Sequence, residues 1–244
     1  DLHIDIVGGN RIVTRLAKDL REEQSDSFSL SADLYGTWDN VRGNLLVEGF
    51  CSLLDNVFAA RRFTPDSEGT VIKERYNARS AQVYGLNVEG KLAFSSWLEL
   101  QAGVTLQKSR YCEAVPWDED APGEKKMLRT PDSYGYFTAT TNPFKHFSAS
   151  LSGTYTGPML VGHAAGSGVE TPVAVTTPAF FTLNLRMAYD LVLYREVGMQ
   201  IYGGVQNLTD AYQKDFDRGW NRDSGYIYGP SLPRSWFIGI KISL

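Results

Sequence analysis

Three observations predict an all-β fold, an antiparallel transmembrane β-barrel. Apolar and polar residues alternate with period two in about ten segments of roughly ten residues, and nothing has helical period. Connections alternate between short and long, as in outer-membrane barrels with short turns at one end and long loops at the other. Polar faces are full-length stripes of Ser, Thr, Gln, Asn and Glu. Tyr and Trp gather near segment ends on the apolar faces, where aromatic girdles lie.

The segments follow in order. Leu2, Ile4 and Ile6 suggest an opening strand, and the first clear one runs from Phe28 to Trp38. After the turn Asp39-Asn40-Val41-Arg42 comes Gly43 to about Ala60, with Leu45, Val47, Cys51 and Leu53 opposing Asn44, Glu48 and Ser52. Arg61 to Asn77 reads as a long polar loop, and Arg79 to Ala93 as the next strand. Phe94-Ser95-Ser96 turns into Trp97 to Gln107, the cleanest alternation. Its Leu98, Leu100 and Val104 are expected toward lipid, and its Glu99, Gln101 and Thr105 toward the lumen. A basic residue at Leu100, read as lying near the midplane, should then cost about 2–4 kcal/mol and block assembly.

Tyr111 to Pro131 is a second long loop. Ser133 to Thr141 turns at Asn142-Pro143 and returns from Phe147 to Tyr155. Gly157 to Pro178, rich in Gly, Pro and Thr, is a third. Strands around Phe181–Tyr189 and Val197–Val205 join near Tyr194-Arg195-Glu196. The fourth loop, Leu208 to Arg234, leads to the closing strand, whose Trp236, Ile238, Ile240, Ile242 and Leu244 share one face.

Composition agrees. Over 244 residues the chain is 43% hydrophobic and 21% charged, with net charge −4, so nucleic acid is not an expected partner. Mean hydropathy is −0.25. No run approaches the roughly 18 apolar residues of a membrane helix, which excludes a helical membrane protein but not a barrel. The chain begins Asp1-Leu2-His3 without an initiator Met or signal peptide, so it reads as a piece of something longer. Cys51 and Cys112 stand far apart in no metal or redox spacing and are expected as free thiols.

At Gly204-Val205-Gln206-Asn207-Leu208-Thr209-Asp210-Ala211-Tyr212 the sequence resembles the C-terminal end of TonB-dependent outer-membrane receptors. These show an Asn-Leu-(Phe or Thr)-Asp-x-x-Tyr segment, then a loop, a Pro-Arg entry (here Pro233-Arg234) and a closing amphipathic strand. Leu20 to Ser29, Tyr84 to Gly90 and Arg129-Thr130-Pro131-Asp132 fit the same family, most like receptors of the Bacteroides type. Many outer-membrane barrels end in an aromatic residue, whereas this chain ends in Leu244.

The resemblance implies that residues 1–244 are the C-terminal part of a barrel of about 22 strands around a plug, with the plug and first strands outside this chain. It implies a transport receptor, not an enzyme, in the outer membrane of a Gram-negative bacterium. Such a receptor imports a scarce large ligand (ferric siderophore, haem, cobalamin or glycan) with TonB-transduced energy and has no resident cofactor. The implied partners are outer-membrane lipid, the plug and remaining strands, TonB, and the small-molecule or glycan ligand. An open half-barrel leaves two unpaired edges in hydrocarbon. It must therefore join the rest of the receptor, close as a small barrel, or fold in another setting.

Ligand contacts are expected on the long loops at Trp117, His163, Arg218, Trp220, Arg222 and Tyr226, with Tyr228 beside them. Arginine pairs with anions, and aromatics stack on flat or sugar-like groups. Alternatively, Tyr226 and Tyr228 mark the girdle and Arg218 packs its loop. Asp118-Glu119-Asp120, and Asp215, Asp217 and Asp223, lack calcium-loop spacing and read as solvated, so no metal site is expected. His3, His146 and His163 are scattered, and only His163 is placed for ligand contact. Asn207-Leu208-Thr209 reads as a strand-end turn rather than a glycosylation acceptor. No nucleophile elbow, P-loop or dinucleotide motif is present. Two other classes compete: a small closed outer-membrane barrel enzyme, protease-like, with His163 or His146 beside carboxylates, and a soluble β-rich adhesin or binding module.

Overall fold

The computed structural model describes the chain except residues 1, 2, 8, 9, 167, 195, 196 and 244, and gives backbone alone at 3–7, 10, 193, 194 and 197. Expectations that fall on Leu2, Arg195, Glu196, Leu244 and the His3 side chain lie outside the described residues. The chain opens with β1 (His3–Val7) and β2 (Asn10–Leu16), then enters β3 (Gln24–Trp38) and β4 (Val41–Asp55). Short β5 (Phe58–Arg62) and β6 (Thr70–Asn77) precede β7 (Ser80–Phe94) and β8 (Leu98–Val115). Next come β9 (Glu124–Lys126), β10 (Ser133–Phe144), β11 (Phe147–Thr156), and the hairpin β12 (Leu160–His163) and β13 (Val173–Thr176). The wall ends with β14 (Phe180–Tyr194), β15 (Val197–Gln206) and β16 (Ser235–Ser243).

One antiparallel sheet, in the order β16-β15-β14-β11-β10-β8-β7-β4-β3 with β9 added beside β8, forms the wall. Its register explains why alternation was so plain in the sequence. Tyr35, Asn44, Lys91, Gln101, Thr138, Ser152 and Asn184 stand side by side across the strands, a wholly polar row, and Gln206 pairs with Ser235 on the last two. The row one residue away, Leu34, Leu45, Gly90, Ala102, Phe137, Gly153 and Leu183, is wholly apolar. Every strand keeps its faces in step, because a one-residue slip would exchange them. Glu99, Gln101 and Thr105 lie on the polar face, and Leu98, Leu100 and Val104 on the apolar one, as expected.

The apolar face is bare. Ile238 is 83% exposed, Leu30 82% and Trp236 76%. Buried apolar groups cluster instead at the long-loop end, in one group of Val57, Ala59, Ala78 and Ala81 and another of Met159, Val161 and Tyr226. This inverts a water-soluble sheet, which hides its apolar face, and an apolar area of this extent needs a lipid or protein cover. Phe28, Tyr84, Tyr155, Phe181 and Trp236 mark its long-loop margin, and Trp38, Phe144 and Tyr189 its short-turn margin. Ten residue steps from Phe28 to Trp38, at about 3.3 Å each and tilted about 40°, give a band about 25 Å tall, the height of a barrel's lipid belt.

Short turns close one end, where Asp39, Ser95 and His146 adopt left-handed backbone. His146 is therefore a hairpin residue at the end opposite His163. Among the described residues, β3 pairs in the wall only with β4 and β16 only with β15, leaving two edges.

The structure corrects three of these expectations. Arg61 to Asn77 is not one loop: β5 and β6 pair there, and β6 lies parallel to β2 in a separate sheet ordered β1-β2-β6-β5. The expected opening strand is present as β1, and it places Ile4 and Ile6 in that sheet rather than in the wall. Strand β8 continues to Val115, because beyond the lipid band both faces are wet and alternation stops without the strand stopping. Leu100 lies two residues from the start of β8, near the short-turn margin. Val104, paired in series with Val88, Val47 and Ala32, holds the middle.

Candidate functional site

The long loops meet in a crown that packs through side chains bonded to backbone, as irregular segments must when their polar groups leave water. The loop between β15 and β16 is tied at its base by Asn207. Its Oδ1 accepts from the Ala211 N–H at 3.0 Å, and its Nδ2 donates to the carbonyls of Ala211 and Leu232, both at 2.9 Å. Asp210 Oδ1 accepts from the Arg234 N–H at 3.0 Å, and the Arg234 guanidinium donates to the Leu208 carbonyl. The Asn-Leu-Thr-Asp and Pro-Arg segments thus staple the two ends of one loop. Asn207 is a strand-end residue, as expected, and is buried.

Higher in the same loop Gln213 is 1% exposed. Its Nε2 donates to the Tyr226 carbonyl at 3.0 Å, and its Oε1 accepts from the Tyr228 N–H at 2.9 Å, so one side chain replaces a missing strand partner. The hydroxyls of Tyr226 and Tyr228 donate to the two oxygens of Asp215 at 2.9 and 2.6 Å. Burial, then the bond to Asp215, pushes the Tyr226 phenol up to about 12 and the Tyr228 phenol up as well. Burial alone would raise the Asp215 carboxyl, but the bonds from Tyr228 and Tyr226 outweigh it and hold it below the usual range.

His163 ends β12 inside this network. Its Nε2 lies 3.0 Å from both oxygens of Asp217, and its ring stacks on Tyr226 with centroids 3.7 Å apart. Asp217 also accepts from the Asp223 N–H at 2.9 Å, while Asp223 Oδ2 accepts from the Ala164 N–H at 2.9 Å. These bonds join the β12–β13 loop to the last loop. The side chains of Asp217 and Asp223, expected in solvent, are only 4% and 9% exposed because the loops close over them. Asp118 is buried too, which pushes its carboxyl up against the opposing bond from the Asp120 N–H. Its neighbour Glu119 holds Thr64 of the β5–β6 connection through the backbone N–H and the hydroxyl. Among the described residues, no group of His, Cys, Asp and Glu could hold a metal ion.

Trp117 lies against Gly162, where an added Cβ would come within 2.7 Å of the indole. Its N–H is buried without a partner, so packing alone fixes the ring. Beside it opens a cavity of about 560 Å³, walled by β2, β5, β6 and three loops. Trp117 and Arg222 line it; Trp220 stands 80% exposed and Arg218 is exposed on the last loop; His163 and Tyr226 are buried in the network behind. Sequence reasoning missed Arg61, Arg62, Lys73 and Arg129 on the same cavity, the first three because their strands read as loop. Arg129 holds the carbonyls of Gly225 and Ile227, which accounts for the Arg129-Thr130-Pro131-Asp132 stretch.

A two-faced antiparallel wall with a bare apolar belt and a crown of loops at one end is the wall of a transmembrane β-barrel. The chain belongs to the TonB dependent receptor-like beta-barrel family, whose model matches residues 4–208. That family consists of receptors, not enzymes. No curated protein matches the chain in sequence. Its fold is similar to the ferric-catecholate import receptor Fiu from E. coli K12, at 17% identity and TM-score 0.61, over 92% of this chain and 28% of that one. It is also similar to the siderophore receptor PirA from Acinetobacter baumannii, at 16% identity and TM-score 0.58, over 94% and 33%. The copper transporter OprC matches at 14% identity and TM-score 0.60, over 88% and 31%. At these identities the likeness is one of fold, and the chain spans 28% to 33% of the length of those structures.

Proposed function

We propose that this chain is the C-terminal part of the barrel of an active-transport receptor in the outer membrane of a Gram-negative bacterium. The plug and remaining strands complete the barrel, and energy relayed through TonB drives import. The observation that carries this is the register of the wall: polar and apolar rows run in step across all nine of its long strands, with every long loop at one end. That arrangement serves a lumen on one side and lipid on the other, with the crown outside the cell. The names of the similar structures, ferric-catecholate, siderophore and copper transport, make a scarce metal or its chelate the first ligand class to test. Exposed Trp220 and Arg218 would meet the ligand first, and Trp117 and Arg222 would hold it at the cavity.

The test is cell fractionation of the full-length gene product with protease applied to intact cells. Cleavage near Trp220 from outside, in a chain that fractionates with the outer membrane, is the expected result. A detergent-free soluble monomer overturns the reading. Uptake of a labelled ferric siderophore that stops when the proton-motive force collapses would establish the energy coupling.

A further inference from the structure

The chain is acidic overall, with net charge −4, yet the crown cavity is basic. Arg61, Arg62, Lys73, Arg129 and Arg222 line it against one carboxylate, Asp223. Glu74 behind the wall offsets part of this, since it accepts from Arg61 at 2.6 Å and from Arg15 at 3.0 Å. Those bonds, Arg61's above all, hold the Glu74 carboxyl below its usual range, so it stays ionised. The guanidinium of Arg61 is fixed further by stacking on Phe63 and Tyr76, each centroid 5.1 Å away. Arg129 is fixed by its two carbonyls. Arg62 approaches Asp223 only to 3.9 Å, and Lys73 is exposed at the rim. Two cations are therefore locked in place, while Arg62, Lys73 and Arg222, the last held by a single bond to the Gly219 carbonyl at 3.1 Å, can turn toward a guest.

We infer that this cavity binds a compact ligand carrying several negative charges on oxygen atoms. Fixed guanidinium groups in a partly enclosed space recognise carboxylates, phosphates and deprotonated catechols through paired N–H bonds and cost little to reorganise. A volume of about 560 Å³ lies within the range of small-molecule sites. A neutral glycan would leave the cluster of like charges uncompensated, so the cavity disfavours that part of the ligand range. The role of the site in import rests on the receptor reading; its charge preference does not.

The experiment uses the full-length gene product in detergent, titrated calorimetrically with citrate, pyrophosphate and uncharged maltotriose. Bicelles with and without phosphatidic acid distinguish a lipid phosphate from a free solute. Citrate or pyrophosphate should bind and maltotriose should not. Lys73→Gln and Arg222→Gln should each weaken the anion about tenfold, as losing one charge-assisted bond predicts. Raising the salt should weaken it further. Binding to phosphatidic acid bicelles alone would support the site but assign it to lipid. Anion binding that both variants leave unchanged, equal binding of maltotriose, or no binding by a protein with the heat-modifiable mobility of a folded barrel overturns the inference. Failure to reach the outer membrane overturns the receptor reading alone, because charge selectivity is measured on the purified protein.

Discussion

The wall and the crown of this chain are built on opposite principles. In the wall, backbone pairs with backbone, and side chains need only match the solvent on their face: polar for Gln101 and Thr138, apolar for Leu100 and Ala139. In the crown, side chains such as Asn207, Gln213, Asp217 and Asp223 pair with backbone, because the loops have few ladders of their own. Substitutions should therefore act in different ways. A wall position outside the tight glycines, such as Gly204 and Gly153, tolerates most residues of the right polarity, whereas a crown position tolerates only the group that makes its bonds.

The largest expected effect tests the wall. Val104→Arg, at mid-band on the apolar face, should cost about 2–4 kcal/mol and abolish the heat-modifiable folded form. Leu100→Arg, near the short-turn margin, should cost about 0–1 kcal/mol and assemble. Equal effects would mean that the band is misplaced along β8.

Next comes the crown. Gln213→Ala strands the Tyr226 carbonyl and the Tyr228 N–H in a buried place. It should cost about 1–3 kcal/mol of local stability, seen as faster proteolysis of the last loop with the barrel intact. Asn207→Ala should cost about 1–2 kcal/mol through lost bonds and a left-handed backbone that alanine resists, read by hydrogen exchange at Ala211.

A smaller effect depends on pH. The folded Tyr226 phenol lies above its ordinary value of 10, so its contribution is complete below pH 10 and fades as pH rises toward about 12. The folded Asp215 carboxyl lies below its ordinary 3.8, so its contribution holds above that pH and is lost on acidification below it. Tyrosinate absorbance should show late-ionising phenols, one fewer in Tyr226→Phe; a normal titration would refute the clasp. The smallest effect is at Arg79, whose pair with Glu113 is exposed at both ends. Arg79→Ala should change thermal stability by no more than about 0.5 kcal/mol.

The same contrast explains what the sequence could reveal. Alternation was legible from Phe28 to Trp38 and from Trp97 to Gln107, because two solvents impose a period of two. Along β6 it was hidden. Glu74 is buried between Arg15 and Arg61, an ion-paired arrangement that reads as polar loop until its partners are in place. Of the candidate site, Trp117 and Arg222 were found by residue type alone, but their convergence was not, since they lie on different loops. Gln213 gave no signal, because an amide inside a loop looks like any solvated glutamine until its neighbours are known. His163 was singled out for ligand contact by its place in a long loop, and the structure shows it bonded instead to a carboxylate 54 positions away.

The two edges of the wall carry one more consequence. Strand β3 descends from the loop crown toward the short turns, and so does β16. Bringing β16 against β3, within this chain or between two copies inserted the same way up, would set two descending strands side by side in a parallel seam. An all-antiparallel ring needs an ascending strand at each edge, so the complement must hold an odd number of strands. Nine and an odd complement sum to the even count that bacterial barrels keep. The wall's polarity thus selects against pairing with itself and in favour of an unlike segment.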